Sequence, residues 1–118
     1  MILSIILATR GRPHLLVPTI EQTVANMRNL NTQLVVAVDD DDRATLDAFA
    51  ARSWSERVIL SRHDREDSLG EKYNNRLTVA PADVYLVMVD YAPHVTPGFD
   101  NIILETASIF PDRIGVVY

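Results

Sequence analysis

Three polar clusters in this chain each follow an apolar run. Thr9, Arg10, Gly11 and Arg12 follow residues 2–8, Asp39, Asp40, Asp41 and Asp42 follow residues 34–38, and Asp90 follows residues 84–89. Lys72, the only lysine, precedes the last run together with Asn74 and Arg76. Two guanidiniums beside a glycine and a helix start suit an anion such as phosphate, because fixed donors, helix-end dipole and positive charge act together. The same loop also reads as a βα turn with solvated arginines. Four adjacent carboxylates repel one another and gain nothing from packing. A charge run is usually a solvated face, and Asp42 suits the N-cap of the helix after it. Asp39 or Asp40, where the run leaves the core, suits a nucleobase N–H or ribose hydroxyls. Asp90 must find a partner or stay wet. A Mg²⁺ or Mn²⁺ ion bridging to phosphate oxygens is one partner, although Tyr91, Ala92 and Pro93 offer no second carboxylate. Capping a turn is the other reading of Asp90.

The elements that position these groups are legible from periodicity. The apolar runs at 2–8, 34–38, 58–60, 84–89 and 114–117 are rich in Val, Ile and Leu with little alternation. Strands covered on both faces look like this, so a mostly parallel sheet is expected. Helical patterns fall between the runs, the mark of an α/β layer fold. From Pro13 to about Leu30, Leu16, Ile20, Val24 and Met27 recur on one face, with Pro13 or Pro18 as the starting residue. Residues 42–52 predict a shorter helix with Leu46, Phe49 and Ala50 inward, and residues 68–80 a third stopped by Pro81. Thr96 and Pro97 read as N-cap and first residue of a fourth, carrying Ile102, Ile103, Ala107 and Phe110. In such sheets ligands bind outside the carboxyl ends of the strands, where all three clusters lie.

Composition narrows the field. The chain has 118 residues, 47% hydrophobic and 23% charged, which fits one globular domain. Eleven basic against sixteen acidic side chains leave a net charge of −5, contrary to the basic surface that nucleic-acid binding needs. The absence of cysteine excludes disulfides, thiolate zinc sites and cysteine nucleophiles. No Walker-type loop, Gly-x-Gly-x-x-Gly or nucleophile elbow occurs, and His14, His63 and His94 have no metal-ligand spacing. The run 2–8 is far short of a membrane span of ~20 residues and lacks the basic leader and cleavage site of a signal peptide, so a cytoplasmic address is expected.

Taken in order, the clusters resemble family 2 glycosyltransferases of the GT-A fold. Ser4-Ile5-Ile6-Leu7-Ala8-Thr9-Arg10-Gly11-Arg12-Pro13 is similar to the opening strand of that family and its Pro-Thr-x-Asn-Arg-Pro loop. Val36-Ala37-Val38-Asp39-Asp40 resembles the second strand with its aspartates. Asn74 to Asp83 resembles Asn-x-Gly-Leu-x-x-Ala-x-Gly-Asp, with Arg76 in place of the glycine. Residues 84–90 resemble the strand ending in an Asp-x-Asp or Asp-Asp metal motif, with Tyr91 and Ala92 where a second aspartate is expected. Thr96-Pro97-Gly98-Phe99-Asp100 is similar to the Thr-Pro-Gly-Trp-Asp that often follows. The resemblance implies a three-layer α/β sandwich with a mostly parallel central sheet. It also implies a nucleoside-diphosphate sugar as ligand, and sugar transfer to an acceptor hydroxyl. Thr9, Arg10 and Arg12 would line the nucleotide pocket, Asp39 or Asp40 would contact base or ribose, Lys72 and Asn74 would face the diphosphate or sugar, and Asp90 would address Mn²⁺ or Mg²⁺. The acceptor and the catalytic base stay unassigned, because the acceptor-binding half of the family follows the position of Tyr118; the chain is expected to be a short or truncated form.

Two further readings stand beside this one. Residues 83–93 resemble the phospho-acceptor strand of a response-regulator receiver, with Asp90 as acceptor; but receivers keep their acidic pair after the first strand, and here Thr9 and Arg10 stand there. The other is a non-catalytic GT-A-like module that binds a nucleotide, a glycan or a protein. An unpaired sheet edge at the C-terminal end would favour a homodimer.

Overall fold

The computed structural model describes residues 1–109, so the expected run at 114–117 and Phe110 lie outside the described residues. Eight elements alternate along the chain: β1 (Leu3–Thr9), α1 (Pro13–Asn26), β2 (Gln33–Asp39), α2 (Arg43–Ala50), β3 (Val58–His63), α3 (Leu69–Asn74), β4 (Val84–Val89) and α4 (Phe99–Ala107). The strands form one all-parallel sheet in the order β3-β2-β1-β4. β1 lies between two neighbours and is buried along its whole length, which is why it shows no alternation.

Helices cover both faces. On one, Leu3, Ile5 and Leu7 of β1 join Leu34, Val36 and Val38 of β2 beneath Leu16 and Ile20 of α1, Leu46 of α2 and Phe99 and Leu104 of α4. On the other, Ile6 and Val35 meet Tyr73 of α3 and Leu77 and Ala80 beyond it. Each fully buried Leu or Ile contributes roughly 1.5–3 kcal/mol of transfer free energy, so the β1–β2 ladder anchors the domain. Among the described residues nothing covers the second face over β4, where Tyr85, Val87 and Val89 are exposed. No helix among the described residues is long and apolar enough to cross a membrane.

Local differences from the sequence reading have physical causes. Pro13 starts α1, while Pro18 lies inside it with its ring exposed. α1 stops at Asn26, where Met27 turns to an extended backbone yet stays buried in the core. Ala50 is exposed, because an eight-residue helix offers the sheet only the narrow stripe of Leu46 and Phe49. α3 ends at Asn74, well short of Ala80. Beyond it the backbone tightens to three-residue turns, Arg76 N–H to Tyr73 O at 3.1 Å and Val79 N–H to Arg76 O at 3.0 Å. Paired asparagines and β-branched Thr78 and Val79 are weak helix formers, and the turns let Leu77 and Ala80 reach the sheet.

α4 begins at Phe99 rather than Pro97, with Gly98 as its cap. Ile102 is exposed, and the buried positions are Phe99, Asp100, Leu104 and Ala107. Gly98 sits at φ 75°, donates to Asn26 O at 2.8 Å and accepts from Ile102 N–H at 3.2 Å. A Cβ there would meet only Arg28 Cγ at 3.7 Å, an ordinary contact. The cost of Gly98→Ala is therefore one of backbone conformation, and a loss of about 1–2 kcal/mol is expected by urea denaturation. An unchanged midpoint would show that the turn relaxes freely.

Candidate functional site

The parallel register aligns the strand ends. Ala8 pairs with Val89 and Thr9 with Val38, so Thr9, Asp39 and Asp90 come out in one row at the C-terminal edge. From β1 the chain winds to β2 and β3 on one side and to β4 on the other. The gap between β1 and β4 is thus the switch point where an open α/β sheet forms a crevice.

Asp90 is almost wholly buried, and both of its side-chain hydrogen bonds fall on Oδ2. Thr9 Oγ1 donates to its Oδ2 at 2.9 Å, and Arg12 Nε donates to the same oxygen at 3.0 Å. Arg12 Nη2 lies 3.0 Å from Oδ1 as an ion-pair contact without hydrogen-bond alignment. Thr19 Oγ1 of α1 donates to the Asp90 carbonyl at 2.8 Å. The half-exposed Arg12 guanidinium also stands 5.9 Å from the centre of the Tyr91 ring.

Asp39, equally buried, ties the neighbouring segments together. Arg10 Nη1 donates to its Oδ2 at 2.7 Å, and Lys72 Nζ stands 3.1 Å from Oδ1. Lys72 is itself buried and donates to Thr9 O at 2.8 Å, joining α3 to the end of β1. Burial acts to raise the pKa of Asp39, but Arg10 and Lys72 outweigh it and hold the carboxyl below its ordinary value. Arg10 also forks onto Asp41, with contacts of 2.6 and 3.1 Å. Asp41, then Asp39, raise the pKa of Arg10, and Arg10 lowers that of Asp41.

The acidic run divides its work. Asp42 caps α2 as expected, accepting the Thr45 N–H at 3.4 Å, and also takes the Thr45 hydroxyl and the Gly11 N–H, each at 2.7 Å. Gly11, at φ 65°, makes the turn that aims Arg10 and Arg12 to either side. Asp40 is exposed and pairs with Arg62 of β3 at 3.1 Å, outside the Asp39 cluster. Asn74 is exposed too. It lies two residues past the buried Lys72, about 200° around the helix, and does not join the cluster.

The structure brings in residues to which the sequence assigned no role in the site. His63, at the end of β3, stands 3.7 Å from Asp39 and 3.0 Å from Glu66, and Glu66 holds Arg76 at 3.1 Å and contacts Asn75. Arg65, Glu66 and Asp67 line a cavity of about 240 Å³ with Thr9, Arg10, Arg12, Asp39 and Lys72. The signal was present: His63-Asp64-Arg65-Glu66-Asp67 is a charged run leaving the third apolar run at the same sheet edge.

A divalent ion at Asp90 is not what these residues fit. Its carboxylate carries the Arg12 fork and the Thr9 hydroxyl, and the next buried carboxylate, Asp39, carries Arg10 and Lys72. An ion on Asp90 would have to displace a guanidinium. Among the described residues no three His, Asp or Glu side chains come together to hold a metal. The chain matches no protein-family model and no curated protein.

Proposed function

We propose that this chain binds a nucleoside-diphosphate sugar at the C-terminal edge of its sheet, as a GT-A-like module of a glycosyltransferase. One observation carries the reading: Thr9, Arg10, Arg12, Asp39 and Lys72 line an open cavity around the end of β1, and Asp90 holds Thr9 and Arg12 from the β4 side. The carboxylates orient the cations. A guanidinium that gives one edge to Asp90 or Asp41 presents its remaining donors in a fixed direction, as recognition of a diphosphate requires. A cavity of about 240 Å³ seats part of such a ligand, and the rest extends over the open rim. In transfer to an acceptor hydroxyl, the arginines would stabilise charge developing on the leaving diphosphate.

Two observations bear on the alternatives. Asp39 and Asp90 are both bound to cations, so neither is open as a general base, which favours a binding module without turnover as the second reading. A receiver needs its acceptor carboxylate open to a phosphoryl donor, whereas Arg12 covers Asp90.

Thermal denaturation with UDP, GDP and ADP tests the reading. A ligand that binds only the folded chain stabilises it by about 2.7 kcal/mol at a hundred times its dissociation constant. UDP or GDP is expected to raise the melting point, and less so in Arg10→Ala, whose replaced side chain is partly exposed. No shift with any of the three nucleotides would rule the reading out. Release of free nucleotide from the sugar donor then separates a transferase from a module that only binds.

A further inference from the structure

Resting on that nucleotide reading, we infer that Arg12 stands in for a divalent cation: the site takes the diphosphate of a nucleoside diphosphate on guanidinium groups, without metal. Three observations lead there. Asp90, the residue at the strand end where a metal-binding carboxylate would act, is buried and bound side-on by Arg12 through Nε and Nη2. Thr9 takes a further position on the same carboxylate, and among the described residues no three His, Asp or Glu side chains group to hold a metal. Arg12 is half-exposed and lines the cavity, so its Nη1 edge is available on the side away from Asp90.

Charge explains why the arrangement suits an anion. A guanidinium has five donors in a rigid plane and stays protonated at any working pH. Paired on one edge with a buried carboxylate, it loses rotational freedom but keeps donors for phosphate oxygens on the other. Arg10 is held the same way, its Nη1 and Nη2 committed to Asp39 and Asp41 and its Nε edge left over. Two oriented guanidiniums a short loop apart match the two phosphates of a diphosphate, while Lys72, buried beneath Thr9, fixes the loop from behind. A metal ion would compete with Arg12 for the buried Asp90 carboxylate and repel the guanidinium it displaced.

The test is calorimetric titration of the intact chain with UDP, in EDTA and in Mn²⁺. The wild-type affinity is expected to be the same in both. Arg12→Ala is expected to weaken UDP binding in EDTA by about tenfold or more, since a charge-assisted hydrogen bond to phosphate is lost. With Asp90 uncovered, that variant is further expected to regain affinity when Mn²⁺ is added and to bind Mn²⁺ directly, as read by the paramagnetic resonance signal of the free ion. Arg12→Lys keeps the charge without the fork, so it is expected to bind UDP more weakly than wild type yet stay indifferent to Mn²⁺. This second variant, with circular dichroism of both, guards against misfolding of Arg12→Ala. Wild-type binding that appears only with Mn²⁺ overturns this inference and leaves the nucleotide reading standing. No UDP or GDP binding in either condition overturns both.

Discussion

Asp39→Ala is expected to destabilise the domain by about 3–5 kcal/mol, the usual cost of removing one partner from a buried ion pair. The reason lies in what the substitution leaves behind. Lys72 Nζ, buried 3.1 Å from the carboxylate, would keep only the Thr9 carbonyl at 2.8 Å. An ammonium out of water with one neutral partner is costly, and the backbone around it allows little retreat because Thr9 and Asp39 end adjacent buried strands. Arg10 suffers less, since it keeps its fork on Asp41. Urea denaturation at neutral pH measures the loss as a lower midpoint at unchanged slope. The double variant Asp39→Ala, Lys72→Met removes the stranded charge and is expected to recover much of the stability. A single variant as stable as wild type, or a double variant worse than the single by a full additive step, would contradict this account.

Asp100→Ala is the second large effect, for a different physical reason. Asp100 opens α4 but serves the loop between α1 and β2. Its carboxylate accepts Arg28 N–H at 3.1 Å, Asn29 N–H at 2.9 Å, the Thr32 hydroxyl at 2.7 Å and Asn101 N–H at 3.1 Å. The residue is fully buried, so truncation leaves the buried Thr32 hydroxyl and the Arg28 and Asn29 N–H groups without their acceptor, while Asn101 N–H keeps Gly98 O at 3.1 Å. A loss of about 3–4 kcal/mol is expected, because each unsatisfied buried group costs roughly 1–3 kcal/mol and entering water repairs part of it. Asp100→Asn keeps one acceptor and turns an amide donor toward the remaining N–H groups, so it recovers little. The same site is sensitive to acid. Burial acts to raise the pKa of Asp100, but Thr32 and the backbone N–H groups of Arg28, Asn29 and Asn101 overcome it and hold the carboxyl below its ordinary value. A carboxyl with a depressed folded pKa contributes stability that is complete above its unfolded value of about 3.9 and is lost as the pH falls through the folded value. Wild type is therefore expected to lose stability below about pH 4 more steeply than Asp100→Ala. Parallel stability–pH curves would remove Asp100 from the acid response.

How far the site was legible depends on the kind of contact. Asp42 as a helix cap was readable because a cap is a local rule, one side chain serving the next turn. Its second bond, to Gly11 N–H, joins residues 31 apart and leaves no local trace. Asp100 stood in a motif that resembles one of a known family, yet nothing nearby in sequence reveals that it would be buried under the α1–β2 loop. Asp39 and Asp40 were equivalent on paper. Strand pleat and register separate them: Asp39 ends β2 facing Lys72, and Asp40 turns outward to Arg62.

The sequence by itself determined the alternation of strand and helix, the mostly parallel character of the sheet and the edge at which the polar groups gather. These follow from apolar periodicity and from the lack of alternation in buried strands, both properties of short windows of chain. Only the tertiary structure decided the partners. Whether Asp90 faces water, an ion or an arginine depends on the placement of Arg12, 78 residues away, and that depends on β4 adding to β1 on the side opposite β2. Strand order is set by which faces the helices can cover and by long-range packing. It therefore also selects which acids neutralise which bases.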